Sequence, residues 1–260
     1  MPKSILIFSD GTGQAGGLQF DENRSNIYKL YRATRVGPDS NIDPTMQVAF
    51  YDPGLGSQAD TGHIWAKGIV RWIYNLASQA TGFGITANII DCYAAIIRLY
   101  EAGDRIYLFG FSRGAYTVRC LAGVLAKCGV PRHLPGQQPL RLDASSAHQL
   151  ASYAVKHVYQ FTESRPLETS NAYQKFLLET RIKIAERFRA EHGSSDPNDQ
   201  STSNGSPYFI GVFDTVAALG SWKKSALFLA GFIVAALTIG ALFSSLRFAI
   251  SRPLVEALSF

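Results

Sequence analysis

No histidine follows His192 in this sequence of 260 residues, and the five that occur are at positions 63, 133, 148, 157 and 192. Cysteine is also scarce. Its three residues fall in predicted helices, and an odd number in that setting favours reduced core thiols over a disulfide framework. No Cys or His spacing is typical of a metal site, and neither a G-x-G-x-x-G fingerprint nor a P-loop is present. We therefore expect no metal and no cofactor.

Neither sign of charge dominates the sequence. There are 25 Lys and Arg against 20 Asp and Glu, for a net charge of +5. No basic run or basic patch with interleaved aromatic residues occurs, so we expect no nucleic-acid partner. The small positive balance favours anionic lipid headgroups as a partner, or it only supports solubility. A hydrophobic content of 47% is enough for one sizeable core without disulfides.

Charge is absent from one long stretch near the C-terminus. The 22 residues 225–246 are uncharged and mostly apolar, with Lys223 and Lys224 before them and Arg247 after. At about 1.5 Å per residue such a run covers a bilayer core of about 30 Å. We predict a transmembrane helix over 223–247, with a buried core helix as the alternative. The N-terminus has too short an apolar stretch for a signal peptide, so we expect a membrane-associated protein with a cytoplasmic catalytic domain.

The rest of the sequence alternates between short apolar strands and helical patterns. Strands are predicted at Ile5–Ser9, Met46–Tyr51, Asp104–Phe109 and Tyr208–Phe213, and helices at Ser25–Arg35, Ile85–Tyr100, Ala115–Leu125, Ala147–Phe161 and Ala172–His192. This order predicts an α/β fold whose mostly parallel sheet carries helices on both faces. Residues 131–207 interrupt the alternation and indicate a helical insertion or lid that ends in a flexible polar loop, Gly193–Pro207. We assign residues 1–220 to one domain.

The most informative motif is Gly110-Phe111-Ser112-Arg113-Gly114, which fits the G-x-S-x-G nucleophile elbow. An apolar strand precedes it and a helical pattern follows, which is the setting in which an elbow serine stands at the top of a sheet. The flanking glycines suit a strained turn with close strand–helix packing. The alternative is an ordinary strand-to-helix turn that contains a serine.

The segment from Phe109 to Thr117, with Arg119 and Leu121-Ala122-Gly123 after it, resembles the signature of one α/β-hydrolase family. That family includes the phospholipase effectors of bacterial type VI secretion, with their Tle-like catalytic domain. Further segments match it in order: Ile7 to Thr12, Ser25-Asn26-Ile27, Tyr51 to Gly56, and Phe209 to Val216 with Leu219-Gly220. The resemblance covers about residues 5–220 and implies an α/β-hydrolase-like fold and a serine esterase, of phospholipase type, acting on lipid esters.

The resemblance also suggests roles for individual residues. Ser112 would be the nucleophile, and Asp214, after the last predicted strand, the acid that orients a histidine. Asp214 is alternatively the N-cap of a following helix. The N–H of Arg113 would be one donor of the oxyanion hole, and Gly11 or Thr12 the other. Asp10-Gly11-Thr12 is alternatively a plain turn at the end of a strand.

The histidine of such a triad is not found where the chain order Ser, Asp, His would put it, because all five histidines precede Asp214. Either His133, His148 or His157 reaches the site from the insertion, or a C-terminal segment, separate or missing from a truncated form, supplies the base. The competing hypothesis is a catalytically inactive hydrolase domain that acts as a membrane-bound interaction module.

Overall fold

The computed structural model describes residues 2–11, 24–53, 84–163 and 166–215 together with Gly231, and its centre is a parallel sheet. The strands are β1 (Ser4–Ser9), β2 (Gln47–Asp52), β3 (Arg105–Phe111) and β6 (Phe209–Phe213), in the order β2-β1-β3-β6. All three pairings in this sheet are parallel. Apart from Gly231, the described residues belong to one compact unit of the chain.

The sheet is covered by helices on both faces, which confirms the predicted α/β class. Side chains alternate along β1, so Ile5 and Ile7 enter one core while Leu6 and Phe8 enter another with Ile27. The larger core lies beneath α2 (Ile85–Leu99) and α3 (Arg113–Cys128), and the smaller one beneath α1 (Asn26–Thr34). Burial on both faces is why β1 is a continuous apolar run.

The helices begin and end at recognisable capping residues. The N-cap Ser25 of α1 accepts the N–H of Tyr28 on its hydroxyl oxygen, and Asp143 accepts the N–H of Ser146 at the start of α4 (Ala144–Tyr153). Helix α5 (Ala172–His192) starts with a reciprocal capping box, and it ends at Gly193 in the left-handed conformation.

The insertion between α3 and β6 forms an outer helical layer. A short hairpin of β4 (His133–Leu134) and β5 (Gln138–Pro139) leads into α4, which continues as a π-helical segment, Ala154–Tyr159. This segment and α4 both contact α2, the π-helical segment also contacts α3, and α5 packs against α3. The lid role stays a prediction.

The polar loop 193–207 makes hydrogen bonds within itself and with a neighbouring segment of the same chain at Val130. Ser195 bridges to Ser203, and the Asp196 N–H donates to the Thr202 carbonyl at 3.1 Å. The Asn204 amide bonds both the N–H and the carbonyl of Val130. The loop therefore has defined anchors at residues 130 and 194–204.

The predicted transmembrane segment 223–247 lies outside the described residues, Gly231 apart. Within residues 2–11, 24–53, 84–163 and 166–215, none of the helices combines the length and the apolar character needed to cross a membrane. The transmembrane helix therefore stays a prediction.

Candidate active site

Ser112 sits between the last residue of β3 and the first residue of α3, with a backbone φ of 54° and ψ of −118°. A non-glycine residue at positive φ costs on the order of 1–3 kcal/mol and persists only where its surroundings enforce it. Here the Ser112 N–H donates to the carbonyl of Phe213 at 3.0 Å, and its own carbonyl accepts the N–H of Tyr116. The strained turn is thus fixed from β6 on one side and from α3 on the other.

The two glycines of the motif are required by close backbone contact. A Cβ on Gly114 would lie 2.0 Å from the carbonyl oxygen of Ser9, and one on Gly110 would lie 2.4 Å from the carbonyl oxygen of Gly114. Both obstacles are backbone atoms, which cannot rotate away as the end of a side chain can. Any larger residue at Gly114 would separate α3 from the end of β1, and one at Gly110 would force β3 away from the first turn of α3.

The sheet register places Asp214 beside the elbow. Phe111 pairs with Phe213, so Ser112 and Asp214 each follow one member of the same residue pair at the carboxyl edge of the sheet. Asp214 is exposed and also has a positive φ, 43°. Its carboxylate makes no side-chain hydrogen bond with another residue in the described part of the chain.

An open cleft of about 700 Å³ lies along this edge. One wall is the start of α1, from Arg24 to Ile27, and the other is the end of β6, from Val212 to Asp214, with Phe111 between them. The cleft therefore joins the predicted acid to the strand end that precedes Ser112. Its lining is mixed, since two phenylalanines and a valine face it together with polar and charged side chains.

Arg113 occupies the first position of α3, where backbone N–H groups have no intrahelical partner. No hydrogen bond of its backbone N–H occurs among the described residues. Its side chain is buried, and none of the three guanidinium nitrogens has a hydrogen-bond partner among the described residues. This burial lowers the pKa of Arg113 from its usual value.

Gly11 lies directly against the elbow. A Cβ on Gly11 would be 2.8 Å from Cδ1 of Phe111 and 3.3 Å from Cβ of Ser112. Its N–H donates to Oδ1 of Asp10 at 2.7 Å, so this group already has an acceptor. Thr12, the other predicted oxyanion donor, lies outside the described residues.

The described histidines have partners of their own away from Ser112. His148 pairs with Asp91 on α2 at 3.2 Å, and Nδ1 of His192 contacts the carbonyl of His133 at 3.0 Å. His157 lies beside the Tyr153 ring. Burial lowers the pKa of His192. Across residues 84–163 and 166–215, no hydrogen bond or ion pair joins a histidine to Ser112 or Asp214; His63 lies outside the described residues.

Two buried carboxylates at the same sheet edge were not assigned a role from sequence. Asp10, after β1, accepts three hydrogen bonds, and Asp52, at the end of β2, accepts the Ser9 hydroxyl and the Asn88 amide at 2.8 Å each. Burial raises the pKa of Asp52 to about 7. The signal available in the sequence was a carboxylate that closes a buried parallel strand. No group of three or more potential metal ligands occurs in the ranges that the structure describes.

Comparisons with known proteins match the sequence to one family. The family model of the catalytic domain of Tle1-like type VI secretion (T6SS) phospholipase effectors matches residues 3–249. A similar protein is the uncharacterised protein YEL023C of Saccharomyces cerevisiae, 33% identical over 130 residues, which are 49% of this chain and 18% of that protein. A crystal structure of an uncharacterised Pseudomonas aeruginosa protein is 19% identical with a TM-score of 0.28, covering 50% of this chain and 26% of the other.

The chain thus spans about a fifth of the length of the curated relative and about a quarter of that of the solved structure. The family match, in contrast, runs over almost the whole chain and includes the strand, elbow and helix around Ser112. We conclude that the chain belongs to the family of Tle1-like catalytic domains of type VI secretion phospholipase effectors.

Proposed function

We propose that this chain carries a serine ester hydrolase site that cleaves acyl esters of membrane phospholipids, with Ser112 as the nucleophile. The observation that carries the proposal is the conformation of Ser112, held at positive φ between a buried strand and the first turn of a helix. An elbow of this kind exposes the serine hydroxyl where the N-terminus of the helix favours negative charge. Membership of a phospholipase effector family supports the substrate class.

In the proposed reaction, the Ser112 hydroxyl attacks the ester carbonyl while a base removes its proton. The N–H of Arg113 stabilises the oxyanion, and of the two candidates for the second donor we favour Thr12, because the Gly11 N–H already donates to Asp10. The protonated base then gives its proton to the departing alcohol, which leaves the acyl group on Ser112. Water, activated by the same base, attacks this acyl-enzyme and releases the carboxylic acid. Asp214 orients the base, which is supported by its place beside Ser112 at the sheet edge.

The base itself is the part of the site that the described residues do not supply. We propose that a histidine on a further C-terminal segment, in the same or another polypeptide, completes the site. The exposed carboxylate of Asp214 and the open cleft beside it leave room for such a segment. Without it we expect slow turnover, since loss of a triad member still leaves on the order of 10³–10⁴-fold catalysis over water.

Membrane association forms the second part of the proposal. The uncharged run 225–246 is long enough to span a bilayer, and the net charge of +5 favours anionic headgroups. A spanning helix over 223–247 would hold Ser112 close to the cytoplasmic leaflet and so close to its lipid substrate. Its flanking lysines would lie at the interface.

One observation favours a second candidate function. The described histidines contact other residues, and none of these contacts involves Ser112 or Asp214. A hydrolase domain without a base in place would act as a membrane-bound interaction module. The two candidates differ in whether Ser112 becomes reactive when a base is provided.

Fluorophosphonate labelling with added imidazole separates these candidates. We expect the probe to label Ser112, and imidazole to accelerate the labelling if no histidine is in place. Ser112→Ala should abolish the label, whereas Ser145→Ala, at an exposed serine of α4, should leave it unchanged. Labelling that persists in Ser112→Ala would refute the nucleophile assignment. No labelling of the folded wild type, with or without imidazole, would favour the interaction module.

A further inference from the structure

We propose that Asp10 is a positioning residue for Ser112, acting through the backbone of Gly11. This inference rests on the proposed function, because it assigns a supporting residue to the same nucleophile. Asp10 does not touch the elbow serine through its carboxylate. It fixes the peptide that lies against that serine.

The Asp10 carboxylate accepts hydrogen bonds from three separate parts of the chain. It is 2% exposed; Oδ1 accepts the Gly11 N–H at 2.7 Å, and Oδ2 accepts the hydroxyls of Ser25 at 2.5 Å and Tyr51 at 2.8 Å. The Asp10 N–H donates to the carbonyl of Asp52 at 3.0 Å. One residue therefore ties the end of β1 to the start of α1 and to the end of β2.

The chemistry of these contacts requires a carboxylate. Both oxygens accept and neither donates, and a buried carboxylate without such donors would be strongly destabilising. An asparagine would keep only one accepting oxygen and would present an NH₂ group either to the Gly11 N–H or to the two hydroxyls. Asp10→Asn therefore changes the hydrogen bonding while it leaves the shape almost unchanged.

The same contacts reach both sides of the elbow. Gly11 approaches Phe111 and Ser112 so closely that a methyl group would not fit at its Cα. Ser25, while donating to Asp10, accepts the Tyr28 N–H and so begins α1, whose first residues line the cleft that contains Asp214. Loss of the Asp10 carboxylate would release the Gly11 peptide on one side of Ser112 and the start of α1 across the cleft.

Asp104 offers a matched control at the opposite edge of the sheet. It is also nearly buried, accepts the N–H groups of Lys3 and Glu101 at 2.9 Å, and pairs with the Lys3 ammonium at 3.0 Å. Asp104→Asn should destabilise the fold in a comparable way, since it too removes a carboxylate that accepts backbone donors. It lies before β3, whereas Ser112 lies after it, so it should not change the reactivity of Ser112.

The test compares fluorophosphonate labelling of full-length wild type, Asp10→Asn and Asp104→Asn, each checked for folding by circular dichroism. We expect Asp10→Asn to lower the limiting labelling rate by about 10- to 100-fold, as a misplacement of about 1 Å does. The probe concentration for half-maximal rate should change little. A role in stability alone would move both Asn variants equally or neither, and an unchanged limiting rate in Asp10→Asn would overturn the proposal.

A second measurement does not depend on catalysis. Hydrogen exchange of the Gly11 and Ser112 amides should accelerate by about tenfold or more in Asp10→Asn and stay at the wild-type rate in Asp104→Asn. If the wild type is not labelled, the proposed function fails, and exchange alone decides the role of Asp10: unchanged exchange at Ser112 overturns it. Should Asp10→Asn fail to fold, Ser25→Ala, which removes one of the three donors, takes its place with the same expectation.

Discussion

The stability of the Asp52→Asn variant relative to the wild type should be greater at pH 8 than at low pH. Asp52 is 6% exposed, and its Oδ2 accepts the Ser9 hydroxyl and the Asn88 amide. Burial raises the pKa of the carboxyl from 3.8 to about 7, against the opposing effect of these donors, and the nearby Asp91 raises it further. The folded protein therefore holds a proton on Asp52 over a pH range in which the unfolded chain has lost it.

The sign and the size of the effect follow from that difference. A folded-state pKa above the unfolded value means that stability falls as the pH rises, from about 4 until it levels off above about 7. Roughly three pKa units at about 1.4 kcal/mol each give a total loss of about 4 kcal/mol. Of this, about 3 kcal/mol should appear between pH 5 and pH 8, and the uncharged amide of the Asp52→Asn variant should not show it.

Urea denaturation of the two proteins at pH 5, 6, 7 and 8 measures this loss directly. The free energy of unfolding of Asp52→Asn minus that of the wild type should rise by about 3 kcal/mol across the series. Asp39→Asn, at an exposed carboxylate whose pKa is lowered, is the control and should show no such rise above pH 5. Parallel curves for wild type and Asp52→Asn would refute the reasoning, because they would mean that Asp52 is ionised when buried at no cost.

Two further expectations concern the elbow and the membrane. Gly114→Ala should lower the free energy of unfolding by about 3 kcal/mol or prevent folding, because its Cβ meets backbone atoms of β1; Gly37→Ala, which meets only flexible side chains, should change it much less, as chemical denaturation will show. The full chain should sediment with bacterial membranes and resist carbonate, and truncation after Gly220 should release it. A carbonate-soluble full chain would contradict a spanning helix.

The central elements could be predicted because their sequence signals are local. Helix α2 is predicted at residues 85–100 and runs from Ile85 to Leu99. The strand before Ser112 is predicted at 104–109 and runs from Arg105 to Phe111, and the helix after it is predicted at 115–125 and runs from Arg113 to Cys128. Helix α4 begins three residues earlier than predicted, because Asp143 caps it. The strand order could not be predicted from periodicity, since it depends on which buried faces meet and not on the pattern within one strand.

The candidate site also contains residues that the sequence predicts and residues that only the fold reveals. A motif with a fixed spacing identified Ser112, and its glycines are explained by the fold, in which a Cβ at either one would lie 2.0–2.4 Å from a backbone oxygen. The side-chain partners of Asp10 and Asp52 include residues 15 to 43 positions away, so no local pattern reveals what these carboxylates bind. The roles of Asp214, Gly11, Thr12 and Arg113 in catalysis stay predictions.

Because Phe111 pairs with Phe213, the distance from Ser112 to Asp214 depends on the number of residues in the two strands more than on which side chains they carry. One residue inserted into β6 would shift the rest of that strand by about 3.3 Å and turn the displaced side chains to the opposite face. An insertion at the exposed tip of the polar loop, 197–200, would cost only a small increment of loop-closure entropy. Across evolution, β6 should therefore accept substitutions but no change of length, while the loop a few residues before it can lengthen freely.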